Sequence, residues 1–350
     1  MRTLVNAPAF DFDETHVDWG DVVLAAIGWG DWQRLERALA EGLVLVSDAE
    51  DGGERVDAEA LHRSVVAFRR ANRLLAGEDY LRWLAERSLS TGDVDAYLTR
   101  VLRRERMSDR PGGVAEIDRA DPRDLAAAIR GEAILSGRLR LWAERLARCA
   151  AAARGLEGDG ERPPSASRAA VDALVRAAGA CRASGLDDTQ ARDRAPRVAA
   201  LQAAEAAFSD RVVTRERIER CFSEHRLDWQ RLVWEEVTFG AEGAAREAAL
   251  WVREQGMGLA EVASLAHLAA DTRAAYSADI SELSGLLVAA APGELVGPLA
   301  EDSGWRLVCM RERTAPAVDD AILRERATSE LVEHALGRHL AGRVSWHDKH

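Results

Sequence analysis

The sequence lacks the features that mark several protein classes. It contains no run of about 18 consecutive apolar residues, so we expect no segment that spans a membrane. No HExxH, P-loop or nucleophile-elbow motif is present, and no cofactor is implied. Its four cysteines include no CxxC pair, so we expect reduced thiols in the core. They are Cys149, Cys181, Cys221 and Cys309.

Acidic residues outnumber basic ones. The chain has 47 Lys and Arg against 59 Asp and Glu, a formal net charge of -12, which argues against binding to nucleic acid or to an anionic membrane. The N-terminal residues carry acidic side chains where a secretory signal would need an apolar core, so we expect a cytoplasmic protein. These side chains are Asp11, Asp13, Glu14 and Asp18.

Histidine, a common metal ligand, is concentrated near the C-terminus. Four of the 8 histidines lie near the C-terminus, at positions 334, 339, 347 and 350. His334 and His339 are five residues apart, a spacing that does not place two imidazoles on one helix face. We therefore predict no metal site.

The N-terminal part of the chain is predicted to be helical. Amphipathic segments follow one another, and Ser90 and Asp93 form a capping box at the start of one of them. Further helices are predicted at Asp31 to Glu41, ended by Gly42, at Asp57 to Arg73, at Glu78 to Arg87, and at 123–154, broken by Gly131 and Gly137.

Two groups of side chains in this part have alternative interpretations. Trp19, Trp29 and Trp32 can form a peptide-binding platform, or they can pack the core, which is the commoner role of large aromatic side chains. The basic residues at the end of a later helix can hold an acidic peptide, or they can form a solvated face. These basic residues are Arg100, Arg103, Arg104 and Arg106.

Residues 229–316 carry the most specific pattern. Leu232 to Phe239 is a short apolar run that favours a β-strand. Two segments follow, beginning at Ala245 and at Leu259, with small or apolar residues at i, i+3, i+4 and i+7, so each predicts a helix with one buried face. The stretch ends as turn, edge strand, turn and strand between Ala291 and Met310.

This order of elements resembles the parvulin-type peptidyl-prolyl isomerases. The turn from Pro292 to Pro298, with the sequence PGELVGP, and the pair Gly304-Trp305 carry the resemblance most specifically. The short helical segments between Ala67 and Glu105 resemble the helical chaperone module that precedes such domains in foldases. A final helix from Asp319 or Asp320 to Gly342 has a broad apolar stripe, which we expect to pack on the N-terminal helices.

The predicted fold is therefore mainly α with a small α+β domain. It comprises helical chaperone-like modules, a C-terminal parvulin-like domain, and a long C-terminal helix that packs back on the N-terminal helices. The predicted segments are an N-terminal helical domain (1–154), a linker (155–168), a helical connecting segment (169–228), the parvulin-like domain (229–316), and the C-terminal helix and tail (317–350).

The sequence departs from the family at the site. The resemblance aligns Glu236 and Arg306 with the two family histidines, so it implies no catalytic residue here. We expect Glu236 and Arg306 to lie on neighbouring strands and to form an ion pair instead. The candidate peptide-binding residues are Trp234, Glu236, Tyr276, Leu287, Trp305 and Arg306.

Three functions remain open from the sequence. The leading hypothesis is a non-catalytic parvulin-like protein that binds an unfolded or precursor peptide and presents it to a peptide-modifying enzyme. The second is an active prolyl isomerase that uses other residues, such as Tyr276 or Cys309. The third is a structural subunit of an enzyme complex.

Overall fold

A computed structural model describes residues 1, 4–53, 55–108, 119–158, 160–280 and 283–347. The chain forms two compact units. The first comprises Met1–Arg211 with Ala335–His350, and the second comprises Val212–His334. Within the described ranges, no helix combines the length and the apolar character needed to cross a membrane.

Helices dominate the structure, and their bounds are as follows. They are α1 (Trp19–Gly28), α2 (Asp31–Asp51), α3 (Ala58–Ala71), α4 (Gly77–Glu86), α5 (Thr91–Ser108), α6 (Pro122–Leu135), α7 (Arg138–Gly158), α8 (Arg168–Ala180), α9 (Asp188–Val212), α10 (Arg215–Glu224), α11 (Glu242–Gln255), α12 (Leu259–Leu265), α13 (Ser284–Ala289) and α14 (Ala321–Leu340).

The strands form two small antiparallel sheets. They are β1 (Pro8–Phe12), β2 (Thr15–Asp18), β3 (Arg231–Phe239), β4 (Asp271–Tyr276), β5 (Leu295–Glu301), β6 (Gly304–Thr314) and β7 (Val344–Trp346). The first unit holds a 3-stranded sheet in the order β2-β1-β7, and the second holds a 4-stranded sheet in the order β4-β3-β6-β5. The predicted fold class, mainly α with a small α+β domain, is confirmed.

The prediction that Gly42 ends the second helix is wrong, because α2 continues to Asp51. Gly42 is buried within α2, and a Cβ atom there would lie 3.0 Å from the Cβ of Arg100 on α5. The glycine therefore serves the close approach of α2 to α5. A glycine in a tight helix contact gives the same sequence signal as a glycine after a helix end.

The segment 123–154 contains two helices rather than one interrupted helix. Gly137 adopts a φ of +71° between α6 and α7, as its predicted role as a break requires, whereas Gly131 lies inside α6. The predicted linker 155–168 begins inside α7, which reaches Gly158. A Cβ at Gly155 would lie 2.5 Å from the Phe208 ring, so this glycine also permits close helix packing.

The tryptophan and arginine groups of the first unit are only partly interior, since Arg106 is exposed and Trp29 is half-buried. Trp19 and Trp32 are buried, which supports the core interpretation, and Trp32 packs on Trp142 with ring centroids 5.8 Å apart. Arg100 is buried as well and donates two hydrogen bonds to Glu132. Arg100 therefore lies neither on a solvated face nor in a free basic patch.

The 4-stranded sheet of the second unit has a separate core on each face. Helices α11 and α12 cover one face, where Val237, Phe239 and Leu307 pack against their alanine-rich sides. The short helix α13 covers the other face, where Leu287 packs on Val308 and Met310. The predicted strand, two helices and two final strands are therefore present in that order, with β4 and α13 between α12 and β5, and with β5 at one edge of the sheet.

Helix α14 contributes to both units. Asp320 accepts hydrogen bonds from the backbone N–H groups of Ile322 and Leu323 and so caps the helix, as predicted. In the second unit its apolar stripe packs on a cluster that includes Phe222 and Trp229. Its last turns, from Ala335 onward, belong to the first unit.

Gly304 is predicted to be the least replaceable glycine of the second sheet. It has a φ of +142°, and a Cβ there would collide with the carbonyl oxygen of Phe239. Gly304→Ala should therefore lower the free energy of unfolding by about 2 kcal/mol or more. The matched control is Gly243→Ala in α11, where the Cβ meets open space and a small gain is expected. Urea unfolding measures both, and equal midpoints for the two variants would contradict the prediction.

Candidate functional site

The register of β3 and β6 brings Glu236 and Arg306 together. In this antiparallel pair Glu236 lies opposite Val308, and Arg306 lies opposite Thr238. Residues two apart in a strand share a face, so Glu236 and Arg306 are diagonal neighbours on one face of the sheet. The Arg306 Nη1 atom lies 3.7 Å from the Glu236 Oε2 atom, and the predicted ion pair is confirmed.

The pair belongs to a larger network of charges. Glu236 accepts a 2.9 Å hydrogen bond from the Trp234 indole N–H and a 3.2 Å hydrogen bond from Arg273 Nε. Arg306 Nη2 lies 2.5 Å from a carboxylate oxygen of Glu301. Arg273 Nη2 also lies 3.6 Å from a carboxylate oxygen of Asp271, so three carboxylates face two guanidinium groups and the network carries one net negative formal charge. These ion pairs hold the side chains in place.

Arg273 and Glu301, which directly contact Glu236 and Arg306, are absent from the candidates predicted from the sequence. Arg273 lies opposite Trp234 in the pairing of β3 with β4, and Glu301 lies opposite Gly304 in the pairing of β5 with β6. Both positions follow from strand register. A register is set by contacts between distant segments, so spacing within one segment carries no signal for it.

The network lies at the rim of an apolar cluster. The side chains of Glu236 and Arg306 are 16% and 26% exposed, whereas Leu287 is fully buried. Trp234 is also buried, and its indole N–H is occupied by Glu236. Trp234 and Leu287 therefore support the site from beneath, and the charged groups are the ones that reach the surface.

Trp305 lies on the other face of the sheet. Successive residues of a strand point to opposite sides, so Trp305 and Arg306 cannot line one surface. Trp305 packs against the cluster under α11 and α12. Its neighbour Arg306 belongs to the network around Glu236, on the side covered by α13.

Tyr276 packs in a third cluster, different from the one under α11 and α12 and the one under α13. It ends β4, opposite Arg231, while Glu236 pairs with Asp271 at the other end of that strand. The Tyr276 hydroxyl donates a 2.7 Å hydrogen bond to Asp320, and this bond raises the pKa of Tyr276. Its ring packs against the cluster that holds α10 and the start of α14. The structure therefore unites four of the six predicted residues, and places Tyr276 and Trp305 elsewhere.

The network is built from charged and hydrogen-bonding groups. The described partners of Glu236 are an indole and two guanidinium groups, and Arg306 contacts two carboxylates. None of these groups is an imidazole. They offer charge and hydrogen bonds to polar groups of a ligand.

Comparisons with known proteins give the following. No family model matches the chain, and no curated protein matches it. Among solved structures, the chain is similar to PrsA from Bacillus subtilis, with 13% identity, a TM-score of 0.21, and coverage of 60% of this chain and 85% of that one. It is also similar to the foldase protein PrsA from Streptococcus pneumoniae, with 13% identity, a TM-score of 0.26, and coverage of 56% and 80%.

Proposed function

We propose that the second unit is a parvulin-like domain that binds peptide segments without isomerising prolyl bonds, in a protein of chaperone or foldase type. The observation that carries this proposal is the ion pair of Glu236 and Arg306 at the two positions that the resemblance aligns with histidines. The order of strands and helices supports the parvulin-like scaffold around them.

The chemistry of the ion pair argues against catalysis. Rotation about a peptide bond has a barrier of about 18 to 20 kcal/mol, and an enzyme lowers it with preorganised groups in a desolvated pocket. Here the Glu236 carboxylate is paired with Arg273 and Arg306, and all three side chains remain partly exposed. A prolyl imide at this surface would meet hydrated ions that are already paired, so its barrier would change little.

The two edges of the sheet differ in their ability to accept a peptide strand. On β5, Arg253 donates hydrogen bonds to the carbonyl oxygens of Leu295 and Gly297, and Pro298 has no N–H group. On β4, residues 271–274 are exposed, and the described part of this sheet has no strand beyond them. An extended peptide would therefore add to β4, beside Arg273 and Glu236.

The client of such an edge is an extended chain. Backbone hydrogen bonds supply the affinity in this mode, so the edge accepts many sequences, as an unfolded protein or a precursor peptide would offer. We propose that the bound segment is held for another protein to act on, and a peptide-modifying enzyme is our specific candidate for that partner.

The test compares isomerisation with binding. In an assay with a proline-containing tetrapeptide, we expect the cis-to-trans rate to stay at the uncatalysed background, because the charged groups at the site are already paired with one another. A rate well above background that falls in Glu236→Gln or Arg306→Gln would overturn the non-catalytic assignment and favour an active isomerase.

Binding is followed by tryptophan fluorescence with an extended peptide. Trp234 is bonded to Glu236 beside the β4 edge, so its emission should change when a strand is added there. The matched control is the same peptide methylated on alternate backbone nitrogens, which cannot complete the ladder and should not bind. Equal binding of the two peptides would exclude strand addition, and binding of neither peptide would favour a structural subunit.

A further inference from the structure

The sheet of the first unit gathers metal-binding side chains on one face. In the pairing of β1 with β2, Asp11 lies directly opposite His16, and in the pairing of β1 with β7 it lies opposite Ser345. His347 follows Ser345 by two residues, so it points to the same side as Asp11. The backbone N–H of His347 donates to the carbonyl of Ala9, which extends the ladder to this residue.

The three side chains are in contact. His16 Nδ1 lies 2.7 Å from Asp11 Oδ1, and His347 Nε2 lies 2.7 Å from Asp11 Oδ2. The two imidazole rings have centroids 5.8 Å apart. One ligand atom from each residue lies within 4.8 Å of the other two. Three potential ligands from distant parts of the chain are therefore close enough together to share one ion.

We propose that Asp11, His16 and His347 bind a divalent transition-metal ion of the Zn²⁺ class. A set of two imidazole nitrogens and one carboxylate oxygen suits such ions better than it suits Mg²⁺ or Ca²⁺. Three protein ligands leave a coordination position for water. The side chains of His16 and His347 are 60% and 37% exposed, so an ion reaches the site directly from solvent.

The protons of the site can rearrange to admit the ion. Without metal, the Asp11 carboxylate accepts a hydrogen bond from each imidazole ring. Metal binding needs a lone pair on the same ring nitrogen, and a neutral imidazole supplies it when its proton occupies the other nitrogen. The nearby carboxylate of Asp13 is held by Arg343 at 3.1 Å, which leaves Asp11 as the anionic ligand.

Spacing along the sequence could not predict this site. The prediction of no metal site considered His334 and His339 on one helix, whereas His347 meets His16 across a sheet. A second group, Cys221, His225 and Glu330, also has atoms within 4.8 Å of one another. Cys221 lies in an apolar core, and burial raises the pKa of its thiol to about 11, so it is a poorer ligand at neutral pH.

The experiment is a Zn²⁺ titration of the full chain at pH 7.5, followed by calorimetry. We expect one Zn²⁺ per chain at the sheet, and each of His16→Ala and His347→Ala should weaken its affinity by at least about 10-fold. The matched control is His225→Ala, which removes the imidazole of the second group and should leave this binding unchanged. Absence of Zn²⁺ binding, or equal binding by His16→Ala, His347→Ala and the unmodified chain, would overturn the proposal.

Folding of the variants is checked separately. His16 is exposed, so His16→Ala should unfold at the same temperature as the unmodified chain when no metal is added. Added Zn²⁺ should then raise the unfolding temperature of the unmodified chain and of His225→Ala, but not that of His16→Ala, because a ligand that binds only the folded state stabilises it. A Zn²⁺-induced rise that His225→Ala abolishes and His16→Ala retains would assign the ion to the second group and exclude the proposed site.

Discussion

Removal of the chain after Pro316 is expected to give insoluble or molten protein. The truncation deletes α14 and β7, and both units lose buried surface. In the second unit, Leu323 and Ala327 of α14 cover the cluster that contains Phe222 and Trp229. In the first unit, the deleted residues include Leu336, which is fully buried.

The expected loss is comparable to the whole stability of a domain. Truncation of one buried leucine to alanine costs about 2 to 5 kcal/mol, and a folded domain is stable by only about 5 to 15 kcal/mol. Several such side chains leave together, and β1 loses its β7 partner. We expect a far-UV circular dichroism signal that retains helix, binding of a hydrophobic dye, and no cooperative thermal transition.

Point variants test whether the buried side chains of α14 contribute the stability, while the helix itself stays in the chain. Leu323 is 1% exposed and Ile322 is 55% exposed, although they are adjacent in α14. Leu323→Ala should lower the free energy of unfolding by about 2 to 5 kcal/mol, and Ile322→Ala by about 0.5 kcal/mol or less. A soluble truncated chain with a cooperative transition would show that α14 is dispensable.

Glu132→Ala is expected to be a strongly destabilising charge removal in the first unit. Glu132 Oε2 accepts hydrogen bonds from Arg100 Nε at 3.1 Å and from Arg100 Nη2 at 2.9 Å. The side chains of Arg100 and Glu132 are 7% and 2% exposed. The variant leaves a buried guanidinium group without its carboxylate, which costs about 3 to 5 kcal/mol. Chemical denaturation measures the loss.

Two controls isolate the cause of that loss. Asp48→Ala breaks the exposed pair of Asp48 with Arg119 and should cost less than about 1 kcal/mol. Replacing Glu132 and Arg100 together by leucine removes both buried charges, so the double variant should be more stable than Glu132→Ala. A Glu132→Ala variant as stable as Asp48→Ala would mean that water reaches Arg100.

Local sequence patterns predicted the helices and strands whose capping and spacing signals lie within the element itself. Asp57 caps α3, and Ser90 and Asp93 form the predicted box at the start of α5. The strand at Leu232 to Phe239 and the two helices after it also appear near their predicted bounds. Capping residues and amphipathic spacing act over a few residues, so one segment of sequence contains the whole signal.

Features that depend on distant partners could not be predicted in the same way. The sheet of β1, β2 and β7 was missed because β7 has only three residues and pairs across almost the whole chain. Trp305 was grouped with Arg306 because they are adjacent in sequence, although adjacent strand residues face opposite sides. The pairing of Glu236 with Arg306 succeeded because a family alignment supplied the missing register.

The small sheet of the first unit also has a consequence for biosynthesis. Asp11 and His347 are separated by 336 residues, so a ribosome that adds about 5 to 20 residues per second needs roughly half a minute to produce the second after the first. During that interval β1 has one edge uncovered while the nascent chain lengthens. Such an edge is a site for unwanted pairing between chains. In the first unit, β7 can cover the edge of β1 only after the second unit has been translated.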